Sequence, residues 1–392
     1  MNNERLVCLC GGKISSVEGK RSVEHPSSAA ENYLRNLKEI RAKNDWKKNG
    51  AGAMFMGQMD FGAEEPSLPK VFGLAAMDGK LAYTLHTGDT AGIYLKDLDK
   101  PEEKDGYVLT KREMQFFEMD AHNGCIALAV GESTRERHLA VVTTDGTDVA
   151  ACTEGESRDA DPKWSRREAN VILYDSCGLG YDRNMQFVQY GPRSVYRVNV
   201  KTGALEEILE GNEKAEYMRP FEAADGTIYC IRRPYREKKR NEMTPLDVLF
   251  FPVRVLKAIF GWLNFFSQRY GGESLKTGGQ NPAKSKPKSE EELFIEGNLL
   301  DVEQNMKENR ARGEKNPGTI PASWELIAWM PDGTVKPLRR GVLDYCVCTD
   351  GFIVSNGKYL LRIDSMGETL LGDVQLGVSP VLLTGMENMS KE

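Results

Sequence analysis

Residues Phe116–Val130 read FFEMDAHNGCIALAV, and the same pattern returns in Val71–Leu85 (VFGLAAMDGKLAYTL) and Asp161–Ser176 (DPKWSRREANVILYDS). It recurs in Arg219–Arg233 (RPFEAADGTIYCIRR) and in Leu343–Ser355 (LDYCVCTDGFIVS). Each copy has an apolar or aromatic approach, a tight polar turn, and a strand in which apolar residues alternate. A second strand pair often follows, as in Gly92–Asp99, His138–Gly155, Ser194–Gly211 and Trp324–Gly341. A period of about 40 to 50 residues holding about four strands marks a β-propeller. The pattern predicts an all-β chain of six blades, with five as the alternative. Asp78-Gly79, Asn123-Gly124, Asp145-Gly146, Asp225-Gly226, Asp332-Gly333 and Asp350-Gly351 supply hairpin turns, where primed geometry requires positive φ.

Working outward, residues 1–50 read as an N-terminal extension. Ser27 or Ser28 caps a helix in which Leu34, Leu37 and Ile40 recur at helical spacing. The propeller then occupies 51–235 and 323–386, and a weak strand signal after Pro380 predicts pairing of Val381–Gly385 with Ala53–Gly57 to close the ring. Between them, 236–322 is an insertion in one blade: a basic stretch, an apolar run from Pro245 to Phe266, a Gly/Ser/Pro/Lys-rich linker, and a helix predicted from Ser289 onward.

Charge singles out the insertion. From Arg232 to Lys288 there are thirteen Lys or Arg against four acids, Glu237, Glu242, Asp247 and Glu273. That balance of +9, in a chain of net charge −6, leaves −15 for the remainder, which points to a partner met by the basic segment alone. Thr244-Pro245-Leu246-Asp247 is a good helix start. At 100° per residue, Asp247, Arg254, Lys257, Gly261 and Asn264 fall in a polar stripe about 100° wide. Pro252 should kink the helix.

So apolar a helix must bury its broad face. A transmembrane span would hold Arg254 and Lys257 in the bilayer at a cost of roughly 2.5–3.5 kcal/mol each. An in-plane helix on an anionic membrane surface fits better, with basic flanks at the headgroups. The competing reading packs the helix on the propeller flank or in a partner's groove, and Asp247 favours it. The predicted contact residues are Arg232, Arg233, Lys238, Lys239, Arg240, Phe250, Phe251, Arg254, Lys257, Phe260, Trp262, Phe265 and Phe266. A nucleic-acid patch is disfavoured, because the basic run abuts an apolar helix rather than aromatic-interleaved strands.

Catalytic chemistry leaves little trace. No Gly-x-Ser-x-Gly elbow or phosphate-binding Gly-x-x-x-x-Gly-Lys occurs. Of four histidines, His86 and His122 could face a propeller mouth, although a solvated loop histidine is commoner. Asp120, Asp161 and Asp175 are carboxylate candidates by position alone. Asp120 has a simpler reading, ordering the turn at Asn123, and Asp161 another, as the polar start of a strand beside Pro162. The eight cysteines include two Cys-x-Cys pairs, Cys8/Cys10 and Cys346/Cys348, which alternation places on one strand face without zinc-like spacing to further ligands. No cofactor or metal is implied. Unpaired thiols, and an opening Met1–Gly12 that lacks a charged segment followed by a long apolar core, predict a cytoplasmic protein.

Asp161-Pro-Lys-Trp-Ser, then Val171–Ser176 and Ser194–Leu209, resembles the TolB-like propeller repeat, with Arg166-Arg167-Glu168 in place of Pro-Asp-Gly. Arg219–Arg233 keeps Pro220 and Asp225-Gly226 but lacks the Trp. The resemblance covers about residues 70–235 and 324–375. It implies a non-catalytic scaffold for a protein or peptide partner, here docked on the cytoplasmic membrane face by the insertion. The alternative is an enzyme with carboxylates in the propeller mouth, acting on carbohydrate as a hydrolase or lyase.

Overall fold

The computed structural model describes residues 4–235 and 292–384, apart from 20, 50–67, 134, 148 and 296–297. Among the described residues, six antiparallel sheets stand as the blades of a six-bladed β-propeller. Blade 1 runs from Lys70 to Arg112, blade 2 from Gln115 to Ala151, blade 3 from Ser157 to Leu209, blade 4 from Glu216 to Arg340 and blade 5 from Asp344 to Asp373. Blade 6 is built from both ends of the chain: Val378–Thr384 is its inner strand, and Glu4–Cys10, Lys13–Glu18 and Arg21–Glu24 complete it outward. Leu6 faces Leu382 and Val7 faces Val381 in that seam. The closing strand Val378–Thr384 thus pairs with Glu4–Cys10, which makes residues 4–24 part of the propeller, while the expected partner Ala53–Gly57 lies outside the described residues.

Burial peaks in the second strand of a blade and falls toward the outer edge, as across blade 2. Second strands such as Lys80–Thr87 are covered on both faces and read as continuous apolar runs, as doubly covered strands must. Outer strands such as Val335–Arg340 are largely exposed. Apolar clusters fill the spaces between neighbouring blades, with Phe116 and Ile126 of blade 2 against Ala75 and Ile93 of blade 1. The helix Ser28–Asn49 is tied to blade 1 at its start. Ser27 Oγ accepts from the Ala30 amide at 3.1 Å, and Asp105 accepts from the Ser28 amide at 2.8 Å and from Tyr83 at 2.6 Å.

The turns divide into two chemistries. In Asp78-Gly79 and Asn123-Gly124 both residues have positive φ, as a type I′ turn requires. In Asp145-Gly146, Asp225-Gly226 and Asp332-Gly333 the glycine alone does. The aspartate there instead accepts a hydrogen bond from the amide two residues on, at Thr147, Thr227 and Thr334. This local side-chain bond stabilises a different turn, so not every such dipeptide forms a primed one.

The insertion leaves blade 4 between its second and third strands, Ile228–Arg233 and Glu325–Trp329. The helix predicted from Ser289 starts later: Glu292–Ile295 and Asn298–Asp301 form a hairpin, and the helix runs only over Val302–Ala311. Asp301 is the cap, accepting from the Gln304 amide at 2.8 Å. Asn309, 1% exposed, donates to the Gly318 and Ile320 carbonyls and locks the helix to the following loop. The apolar run from Pro245 to Phe266 lies outside the described residues, and among those described no helix is long and apolar enough to cross a membrane.

Candidate functional site

All six inner strands contribute to a cavity of about 200 Å³ on the propeller axis. Its wall includes Glu118, Asp120, Asp161, Lys163, Arg166, Arg219 and Asp344. Three of the strands carry an X-Pro step there: Asp161-Pro162, Arg219-Pro220 and Ser379-Pro380. Each X residue has positive φ (49°, 56° and 51°), and each step falls where the ladder slips register. Proline fits this bulge because the ladder needs no amide hydrogen there. Asp161 consequently lies inside a strand, Ser157–Trp164, and faces the axis rather than starting the strand.

The charges in the channel are mutually held. Arg219 Nη1 pairs with Asp344, and its Nε lies 3.7 Å from Asp161. The Arg219 amide donates to Asp175 at 2.9 Å, and the Tyr345 hydroxyl lies 2.8 Å from its carbonyl. Asp344 also accepts from the Ser379 amide at 2.6 Å, which ties blade 5 to the closing strand. Asp120 accepts from the Trp164 amide at 3.0 Å and sits 3.4 Å from both Lys163 and Arg166, so it joins blades 2 and 3 rather than ordering the turn at Asn123. Asp175 lies behind the channel, paired with Arg193 at 3.1 Å, each under 6% exposed at the side chain. Burial pushes the Asp161 carboxyl well above the usual range; Arg219 pulls it down, while Asp175, Glu118 and Asp344 push it further up.

His86 belongs to the packing rather than the mouth. Its Nε2 lies 2.7 Å from the Phe116 carbonyl, its ring lies tilted against Phe72 with centroids 4.2 Å apart, and burial lowers its pKa. His122 ends the inner strand of blade 2, and burial followed by the Arg166 charge lowers its pKa.

A second surface lies where the second-to-third strand connections emerge. Blade 3 extends there as an arm, Val171–Tyr181 pairing back with Phe187–Tyr190. Asp182 orders its tip by accepting from the Asn184 and Gln186 amides at 2.8 and 2.9 Å. The arm exposes Met185 (72%), Val188 (60%) and Tyr181 (38%). Phe187 lies tilted against Tyr190, ring centroids 4.8 Å apart, and under the Arg135 guanidinium at 5.3 Å, bounding a groove of about 540 Å³ between the arm and blade 2. Tyr235, the last described residue before the insertion, donates to the Tyr190 carbonyl. The arm and the root of the basic insertion are thus neighbours.

Of the predicted contact residues, Arg232 and Arg233 are described; Lys238, Lys239, Arg240, Phe250, Phe251, Arg254, Lys257, Phe260, Trp262, Phe265 and Phe266 lie outside the described residues. Arg232 bonds Glu325 at 2.7 Å across the second and third strands of blade 4. Arg233 is only 2% exposed, bonds Glu216 at 2.6 Å and lies 4.3 Å over the Trp324 ring. Its charge is committed inside blade 4, which corrects its assignment as a surface contact. The arm escaped sequence reasoning because its apolar residues are scattered among polar ones.

The chain is a six-bladed β-propeller, similar in repeat pattern to the TolB-like class. No protein-family model matches the sequence, and no curated protein does. Among solved structures it is similar to TolB from Acinetobacter baumannii, at 10% identity and TM-score 0.48, over 97% of this chain and 66% of that one. The tricorn protease aligns at 10% identity and TM-score 0.46, over 98% of this chain and 34% of that one. An oligogalacturonate lyase in complex with manganese aligns at 11% identity and TM-score 0.31, over 57% and 59%. The chain thus spans under two thirds of each of these. At such identities the likeness concerns the path of the backbone, and the blade count rests on the sheet topology itself.

Proposed function

We propose that the protein is a non-catalytic scaffold that binds a protein or peptide partner on the face carrying the blade 3 arm, and docks on an anionic membrane surface through its insertion. The observation that carries partner binding is the exposed Tyr181, Met185 and Val188 beside the groove. Aromatic and methionine side chains are enriched at interface centres. The channel supports a structural role instead: its volume is below the roughly 300–1,000 Å³ of common ligand sites, and its acids are tied to cations, Asp161 and Asp344 to Arg219, Asp120 to Lys163 and Arg166, and Glu118 to Arg137.

Peptides enriched from a displayed library on the full-length protein should lose binding, at least about tenfold, to Met185→Glu/Val188→Glu. They should still bind Lys163→Glu. The opposite pattern would move the site to the channel. That second reading, carbohydrate chemistry in the mouth, draws on the convergence of Glu118, Asp120, Asp161 and Asp344 on one cavity.

Membrane docking rests on the charge asymmetry and the amphipathic run Pro245–Phe266. Flotation with liposomes should recover the protein with anionic but not neutral vesicles, less at high salt, and not after Trp262→Glu. Equal recovery of that variant, or none of the wild type, would remove membrane docking and favour burial of the run against protein.

A further inference from the structure

The two Cys-x-Cys pairs meet. Cys8 and Cys10 lie on Glu4–Cys10 of blade 6, and Cys346 and Cys348 on Asp344–Cys348 of blade 5. All four share the apolar cluster between those blades with Leu6, Ile353, Leu360 and Val374. Among the described residues no group of three or more ligands is arranged for a metal ion, so the thiols do not form a cage. Cys8 and Cys10 are nevertheless neighbours, with Sγ atoms 3.7 Å apart. Cys8 is fully buried, opposite the Ser379-Pro380 bulge. Cys10 is partly exposed at the strand end and is followed by Gly11 and Gly12, both at positive φ.

Residues i and i+2 of a strand are about 6.7 Å apart at Cα, inside the roughly 4.4–6.8 Å that disulfides span. Bond formation requires the sulfurs to approach by about 1.7 Å, and the Gly11-Gly12 turn leaves the Cys10 end room to adjust. We propose that Cys8 and Cys10 form a reversible dithiol–disulfide pair, with Cys10 the position at which a low-molecular-weight disulfide reacts. The Cys10 thiolate attacks one sulfur of the small disulfide, forming a mixed disulfide and releasing one thiolate. Cys8 then gives up its proton and attacks the Cys10 sulfur, releasing the second. The two protein thiols are oxidised by two electrons, and the small disulfide is reduced to two thiols.

The electrostatics agree with that order. The hydrogen bond between Cys8 and Cys10 lowers the Cys10 thiol to about 7, and the same contact, with burial, raises Cys8. An attacking thiol works best when its pKa lies near ambient pH. Burial pushes Cys346 up to about 12 and raises Cys348, so those two remain protonated bystanders. The pair sits on the strand that joins the two ends of the chain, which puts its redox state at the ring's seam.

Incubating the full-length protein with oxidised glutathione tests this by mass spectrometry. The expected product has lost about 2 Da and two of its eight free thiols, with the bond inside the tryptic peptide Leu6–Lys13. Cys8→Ala should stop at one glutathione on Cys10, and Cys10→Ser should leave Cys8 unmodified. The rate should rise as pH passes about 7. A wild type that ends as a glutathione adduct, reacts first at another cysteine, or keeps all its thiols would overturn the proposal.

Discussion

Replacing Arg219 by methionine is expected to cost about 3–5 kcal/mol of unfolding free energy near neutral pH, the usual penalty for stripping one partner from a buried ion pair. The Arg219 side chain is 10% exposed and stands between Asp344, which it contacts, and Asp161 at 3.7 Å. Without it, two carboxylates from blades 3 and 5 face a small cavity uncompensated. The loss should depend on pH with a definite sign. Asp161 has a folded pKa raised above its unfolded value by burial. Its stabilising contribution is present below the unfolded pKa and is lost as pH rises through the folded one. Arg219 acts against that shift, so Arg219→Met extends the decline to higher pH, and the penalty shrinks in acid. Asp161→Asn should flatten the decline and recover at least about 1 kcal/mol in the double variant, as coupled neighbours do. Asparagine also tolerates the φ of 49° at this position. Urea titrations across pH measure both; an Arg219→Met curve with the wild-type midpoint would show that the channel charges do not matter to stability.

The architecture was legible because turn chemistry and apolar alternation repeat in blades 1 to 5. Blade 6 was not, for two physical reasons. Its hairpins use Gly11-Gly12 and Gly19 in place of Asp-Gly, with Cys8 and Cys10 serving as apolar strand residues. Its inner strand comes from the far end of the chain, and local periodicity carries no information on such a distant pairing. Asp120 and Asp161, candidates by position alone, both line the channel, but nothing in the sequence pointed to Arg219 or Asp344 beside them. Proline beside Asp161 suggested a strand start, since proline is excluded from regular ladders. The bulge evades that exclusion, and Asp-Pro, Arg-Pro and Ser-Pro steps at matching positions were the available signal. Asp175 shows the converse: placed near the site by position, it acts from behind, holding Arg193 and the Arg219 amide.

A chain ending at Gly377 is expected to lose cooperative unfolding altogether. The strand Val378–Thr384 is the innermost of blade 6, hydrogen-bonded along Glu4–Leu9. Val378, Val381 and Leu383 pack with Val7, Leu9, Val71 and Leu85 toward blade 1, while Leu382 packs with Leu6 and Cys8 toward blade 5. Fully burying a Val or Leu side chain is worth about 1.5–3 kcal/mol; with Leu383 buried and Val378, Val381 and Leu382 partly buried, the four contribute at most about 6–12 kcal/mol, still a large share of the roughly 5–15 kcal/mol of an entire domain. Truncation also removes the Ser379 amide that donates to Asp344, loosening the partner of Arg219. Circular dichroism through a urea series should then give a broad, low-midpoint transition in place of a sharp one. A synthetic peptide covering Val374–Thr384 should restore the sharp transition by adding back the missing strand. If the truncated chain instead unfolds at the wild-type midpoint without the peptide, the ring does not depend on the pairing of its two ends.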